Sequence, residues 1–216
     1  MFLETMEARR LMSVTAVNAT ILTDRLQTRV DLLKFKVDAI SCALVMHADG
    51  KALKADGVGT DETLAPLFAT LKVDVKAMRT QLAADRLNQR LAVLKDQVAI
   101  VKDLLKIRAD LGNPTAVTAD RAQLLADRIQ LQTDEIAGLN ARLATRQAAH
   151  DKIFADVQAI SDAVASDAGA SEQLKTDVQK FVTDGTNCLN VLETDLQTLV
   201  ADRTKLASDL TALQSS

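Results

Sequence analysis

"AQLLADRIQLQTDEIAGLNARLATRQAAHDKIFADVQAISDAV" (residues 122–164) repeats in alternating steps of three and four residues. Those steps pick out Ala122, Leu125, Ile129, Gln132, Ile136, Leu139, Leu143, Arg146, His150, Ile153, Val157, Ile160 and Val164, ten of them apolar. A mean spacing of 3.5 residues returns side chains to one stripe of an α-helix, whereas a strand would need strict alternation. A stripe kept for this length is the seam of a coiled coil or a long helical bundle.

The same signal recurs outward from this segment. Towards the C-terminus, Val178, Gly185, Leu192, Leu199, Leu206 and Leu213 follow at intervals of seven, with Leu189, Leu196 and Leu210 as a second row. Near the N-terminus the row is Leu26, Val30, Leu33, Val37, Ile40, Leu44 and His47. Between them lie Leu64, Phe68, Leu71, Val75, Met78 and Leu82, then Leu87, Leu91, Leu94, Val98, Val101 and Leu105. The offset at Ala83–Asp85 reads as a stutter, a local change of winding.

Three corners separate these rows. "HADGKALKADGVG" ends the first helix; Thr60 or Thr63 is placed to cap the second, with Asp61 and Glu62 at its positive end and Pro66 in its first turn. "LGNPT" closes the second helix, with Gly112 as stop and Pro114 beyond it, and Thr118 or Thr115 opens the third. "SDAGAS" precedes the fourth, with Ser171 as cap. The chain is thus predicted to be all-α, an elongated antiparallel four-helix bundle or coiled coil running up-down-up-down. It is read as one domain over residues 1–216, with helices at about 2–48, 61–111, 116–166 and 171–214. Two helical hairpins that open and pair with another copy are the alternative.

Composition agrees. The 216 residues include only five aromatics, all Phe, and just 7 Gly and 2 Pro. That leaves little material for turns or for a thick aromatic core. A net charge of −3, no basic run and almost no aromatics make nucleic acid an improbable partner. Glu4 and Glu7 interrupt the apolar core a signal peptide would need, and "LMSVTAVNATILT" (11–23) is too short and too polar to span a bilayer. Cys42 and Cys188 form neither a CxxC nor a framework, so a reduced, cytoplasmic setting is expected.

The first corner is the one segment with the look of a site. "GVGTDETL" (57–64) resembles the calcium loop of annexins, through Gly57, Gly59, Thr60, Asp61 and Glu62. That loop also needs a distant acid, and the corresponding "QVAIV" (97–101) has none. An EF-hand reading would place Ala52 and Thr63 at ligand positions, and no phosphate-binding motif can be built here. The segment is read as a corner.

The histidines fall on apolar rows. "ILTDRLQTRVDLL" (21–33) aligns with "LLADRIQLQTDEI" (124–136) at an offset of 103 residues, which pairs His47 with His150. On that register Met78 and Cys188 would share their layer, a soft ligand set suited to copper or zinc. The Glu-x-x-His pairs of di-iron bundles are missing, since Gln147 and Leu44 stand three residues before the histidines. No catalytic, cofactor-binding or metal residue is assigned. The repeated Asp-Arg pairs at 24–25, 85–86, 127–128 and 202–203 read as solvated surface charge. Gln132, Arg146 and Arg203, lying on seams, are expected to set register or partner.

With no hydrolase or metalloprotease motif, the function expected is non-enzymatic: a structural, assembly or scaffold protein acting through helical coiled-coil faces, binding protein partners or itself. The first alternative is a lipid- or membrane-active bundle, apolipoprotein-like or pore-forming, for which "AISCALVM" (39–46) is the best entry point. The second is a metal-binding bundle.

Overall fold

The computed structural model describes the backbone of residues 2–214 and the side chains of 18–214; Glu4 and Glu7 fall outside the described side chains. The fold is a four-helix bundle: α1 (Phe2–Ala55), α2 (Leu64–Ala109), α3 (Pro114–Ser166) and α4 (Glu172–Gln214), with no strand among the described residues. Contacts between neighbours run antiparallel. Lys34 and Asp49 of α1 meet Asp195 and Lys180 of α4, while Gln89 and Lys106 of α2 meet Glu135 and Asp120 of α3.

Several boundaries differ from expectation, each for a local reason. Helix α1 continues to Ala55, through Gly50, instead of stopping near residue 48. Gly in a helix interior costs about 1 kcal/mol, and burial of Leu53 and of Val58 just beyond it offsets that cost. The cap of α2 is Asp61, not Thr60 or Thr63: its Oδ1 accepts from the N–H groups of Thr63 and Leu64, both at 2.8 Å. Helix α3 begins at Pro114 itself. Asn113 caps it, accepting from the Ala116 N–H at 3.2 Å, and proline at the first helical position sacrifices no hydrogen bond. Ser171 caps α4 as expected, accepting from the Leu174 N–H at 3.0 Å.

The helices contribute to two compact units. Unit 1 is Met1–Leu32, Asp85–Asn140 and Thr198–Ser216; unit 2 is Leu33–Ala84 and Ala141–Gln197. In unit 1, Ile21, Leu206 and Leu210 form a buried cluster against Leu125, Ile129 and Leu213. In unit 2, Leu53, Leu64, Leu71, Ile160, Val164 and Val178 are buried together. The rings of Phe68 and Phe181 meet there, centroids 6.0 Å apart and tilted by 54°.

Unit 2 also corrects the reading of the cysteines. Cys42 of α1 and Cys188 of α4 are joined in a disulfide, Cα atoms 5.5 Å apart. Their separation of 146 residues hid the pairing, since antiparallel return of α4 along α1 is what brings them level. Among the described residues no helix is long and apolar enough to cross a membrane.

Candidate interaction face

The expected seams divide into two classes. Those of α3, of α4 and of the first half of α2 turn inward: Leu139, Ile153, Val157 and Ile160 are buried, as are Leu192, Leu196, Leu199 and Leu206, and Leu64, Leu71 and Leu82. The second row of α2 does the opposite. Leu87, Leu91, Leu94, Val98, Val101 and Leu105, all in unit 1, are each 51–62% exposed. The row of α1 is exposed as well, Leu26 and Val30 in unit 1 and Leu33, Val37, Ile40 and Leu44 in unit 2. These two rows were expected to line the core.

For α2 the reason is angular. Leu87 follows Leu82 by five residues, and at 100° per residue the row moves about 140° around the helix axis. Because α2 is unbroken from Leu64 to Ala109, the stutter cannot be absorbed by a turn. What faces α3 instead is Gln89, Asp96 and Asp103. Gln89 Nε2 donates to the Glu135 carbonyl at 3.1 Å, and the two aspartates lie against Asp134 and Asp127. Leu91, Leu94, Val98, Val101 and Leu105 each stand two residues from one of those three, so they point about 200° away.

The inward faces are therefore more acidic than expected, and aspartates read as surface charge are buried. Asp24 and Asp85 belong to this group, and Asp49, Asp74, Asp120 and Asp195 are buried as well. Five of them take a lysine from the neighbouring helix. In unit 1 the pairs are Lys205–Asp24 and Lys106–Asp120, each at 2.6 Å. In unit 2 they are Lys152–Asp74 at 2.5 Å, Lys180–Asp49 and Lys34–Asp195. A buried carboxylate without such a partner would be strongly destabilising.

Carboxyls also face one another across the helices. In unit 1, burial together with the facing Asp31 pushes Asp202 up to about 6. Burial and Asp134 raise Asp96; burial and Asp127 raise Asp103. A hydrogen bond to Asp24, then burial, raises Asp209. Burial opposes ionisation of Asp24, but hydrogen bonds from Lys205 and Asp209 outweigh it and hold that carboxyl below its ordinary value. In unit 2, burial and the facing acid raise Asp156 against Asp74 and Asp56 against Asp177. Two facing carboxylates repel when both are ionised, so each raised acid holds its proton more tightly than a free one.

Cys188 spends its sulfur on Cys42. His150 Nδ1 lies 3.1 Å from Glu193 Oε1, and His47 is exposed. Met78 packs on the apolar core of unit 2. The His47–Met78–His150–Cys188 layer therefore lacks the thiolate it requires, and no group of three His, Cys, Asp or Glu side chains able to hold a metal exists among the described residues. In the annexin-like corner, Asp61 is occupied by backbone N–H groups and Gly57, at φ +83°, provides the left-handed turn. Of the polar seam residues, Arg146 is buried in unit 2; in unit 1 Arg203 donates to Gln132 Oε1 at 2.9 Å and pairs with Glu135 at 2.5 Å.

Comparison with protein-family models, with curated proteins and with solved structures finds no match to this chain.

Proposed function

We propose that this chain is a non-enzymatic assembly protein that engages other helices through apolar seams left uncovered on its surface. One observation supports the reading above the others: the Leu87–Leu105 row of α2 keeps the three-four spacing of a coiled-coil seam while standing more than half exposed. Scattered exposed leucines are ordinary, but six in a single row are a surface that water disfavours and a partner helix would cover. A standard interface buries ~800 Å² per partner, and six half-exposed leucines and valines in one row supply a substantial share of such an area.

The test is to place Glu at Leu94 and Val98 in the full-length chain and compare it with the wild type by light scattering and pull-down. The reading expects both proteins to fold equally and the variant to lose an association that the wild type shows. An unaltered association profile in the variant would overturn it.

A lipid surface is the second reading, favoured by the exposure of Ile40, Leu44 and Val45 on α1 in unit 2. Liposome flotation decides it, since a lipid-active protein would rise with vesicles and an assembly protein would stay behind. Apart from Leu104, the exposed row of α2 keeps to the two seam positions, narrower than the apolar face of an interfacial helix, which argues for the helix.

A further inference from the structure

The Leu87–Leu105 row has a charge signature beside it. In heptad terms Leu91, Val98 and Leu105 occupy the first seam position and Leu87, Leu94 and Val101 the second. The positions bordering that seam are then Asn88, Arg90, Lys95, Gln97, Lys102 and Leu104. Three of the six are cationic, none is anionic, and Arg90, Lys95 and Lys102 are all exposed. The acids of this stretch, Asp96 and Asp103, sit on the opposite side against α3 and do not neutralise the border. Side chains at these border positions select the partner and its direction in coiled coils.

Resting on the assembly reading above, we infer that the α2 seam of unit 1 receives an amphipathic helix of about three heptads whose own seam is bordered by glutamate or aspartate. The 19 residues from Leu87 to Leu105 extend about 27 Å, which sets the length of the occupant. A second copy of this chain is disfavoured by the same charges. Parallel pairing of α2 with α2 sets Arg90 of one copy beside Lys95 of the other, and antiparallel pairing brings the lysine border, Lys95 and Lys102, against itself. The exposed α1 row offers no complement either, because Arg29 and Lys36 border it. The apolar rows of α3 and α4 are buried and cannot serve. The cations thus act twice, attracting an acidic helix and repelling copies of their own.

Two synthetic helices of three heptads, with Leu at both seam positions and either Glu or Lys throughout the borders, test the inference by fluorescence anisotropy against the full-length protein. The acidic helix is expected to bind at least about tenfold more tightly than the basic one. Its affinity should fall as salt rises from about 0.05 to about 0.5 M. Triple replacement by Arg90→Glu, Lys95→Glu and Lys102→Glu should invert the preference, and Leu94→Glu with Val98→Glu should abolish both complexes while the circular dichroism spectrum stays helical. Equal binding of the two helices would overturn the acidic-border inference and leave the seam standing. Binding of neither, with association of the full chain indifferent to Leu94→Glu and Val98→Glu, would remove the seam as well. A dimer mass abolished by those substitutions would assign the seam to a second copy, and flotation with phosphatidylserine vesicles unopposed by the acidic helix would assign it to lipid; either result overturns the inference.

Discussion

A methyl group added at Gly138 of α3 would lie 2.7 Å from Gln89 Cβ of α2 and closer still to its Cγ. The approach lets Gln89 reach the Glu135 carbonyl. Intrinsic propensity says that Ala should stabilise a mid-helix position by about 1 kcal/mol over Gly. Here the sign reverses: Gly138→Ala is expected to lower stability by about 1–3 kcal/mol through overpacking, read as a lower urea midpoint. A stabilised variant would mean that α2 and α3 are farther apart than described. At this same scale lay the most legible feature missed in the sequence. Asp24, Asp31 and Asp38 repeat by seven, as do Asp96, Asp103 and Asp110, Asp120, Asp127 and Asp134, and Asp195, Asp202 and Asp209. One such row runs along each helix, that of α2 ending just beyond it at Asp110, and is as periodic as any leucine row. Weighing only apolar residues for periodicity hid it, because an aspartate is assumed to face water until a lysine or a second carboxyl is found opposite.

Among the helices, α2 carries the sharpest test. Leu94→Gln on its exposed row should change stability by no more than about 0.5 kcal/mol, as surface substitutions do. Leu196→Gln, at a position only 1% exposed on α4, should cost several-fold more because it buries an amide in an apolar layer. Equal losses at both sites would show the α2 row to be core. The contrast was available in the spacing: five residues from Leu82 to Leu87 carry the row to another side of a continuous helix. A stutter absorbed as a change of winding would have kept the row inward; a continuous helix of ordinary pitch turns it outward. Helices α1 and α4 are tied by Cys42–Cys188, and the loop it closes is long. Reduction, or Cys42→Ser, should therefore lower the free energy of unfolding by about 2–5 kcal/mol, visible as a fall in Tm under reducing conditions. An unchanged Tm would argue that the thiols are not joined.

Taken over the whole molecule, the facing acids predict an unusual response to pH. A carboxyl whose folded pKa is raised binds its proton more tightly in the folded state, so its ionisation removes stability as pH climbs from its unfolded value through its folded one. Asp56, Asp96, Asp103, Asp156, Asp202 and Asp209 all shift that way. Asp24 and Asp38, lowered by Lys205 and Lys34, withdraw stability only in stronger acid. Tm is accordingly expected to be higher near pH 5 than near pH 7.5, about either side of the Asp202 value. Asp202 faces Asp31 and Asp24, with Arg203 as the opposing cation, so Asp202→Asn should raise Tm at the higher pH and narrow the difference. A Tm that rises steadily from pH 5 to 7.5 would refute the tightly held protons.

Local sequence by itself determined that this chain is helical, that its described residues form four helices, and where most of them turn. Those properties depend on spacing, capping residues and backbone restrictions that act within a few positions of one another. Which side of each helix meets its neighbours was decided only in the tertiary structure. Helices α1 and α2 each carry two periodic faces, one of leucine and valine, one of aspartate. The choice between them is set by lysines, carboxyls and a cysteine supplied from helices distant in sequence. Coulomb attraction, carboxylate repulsion and a disulfide depend on which atoms meet in space, and neighbours along the chain carry no record of that.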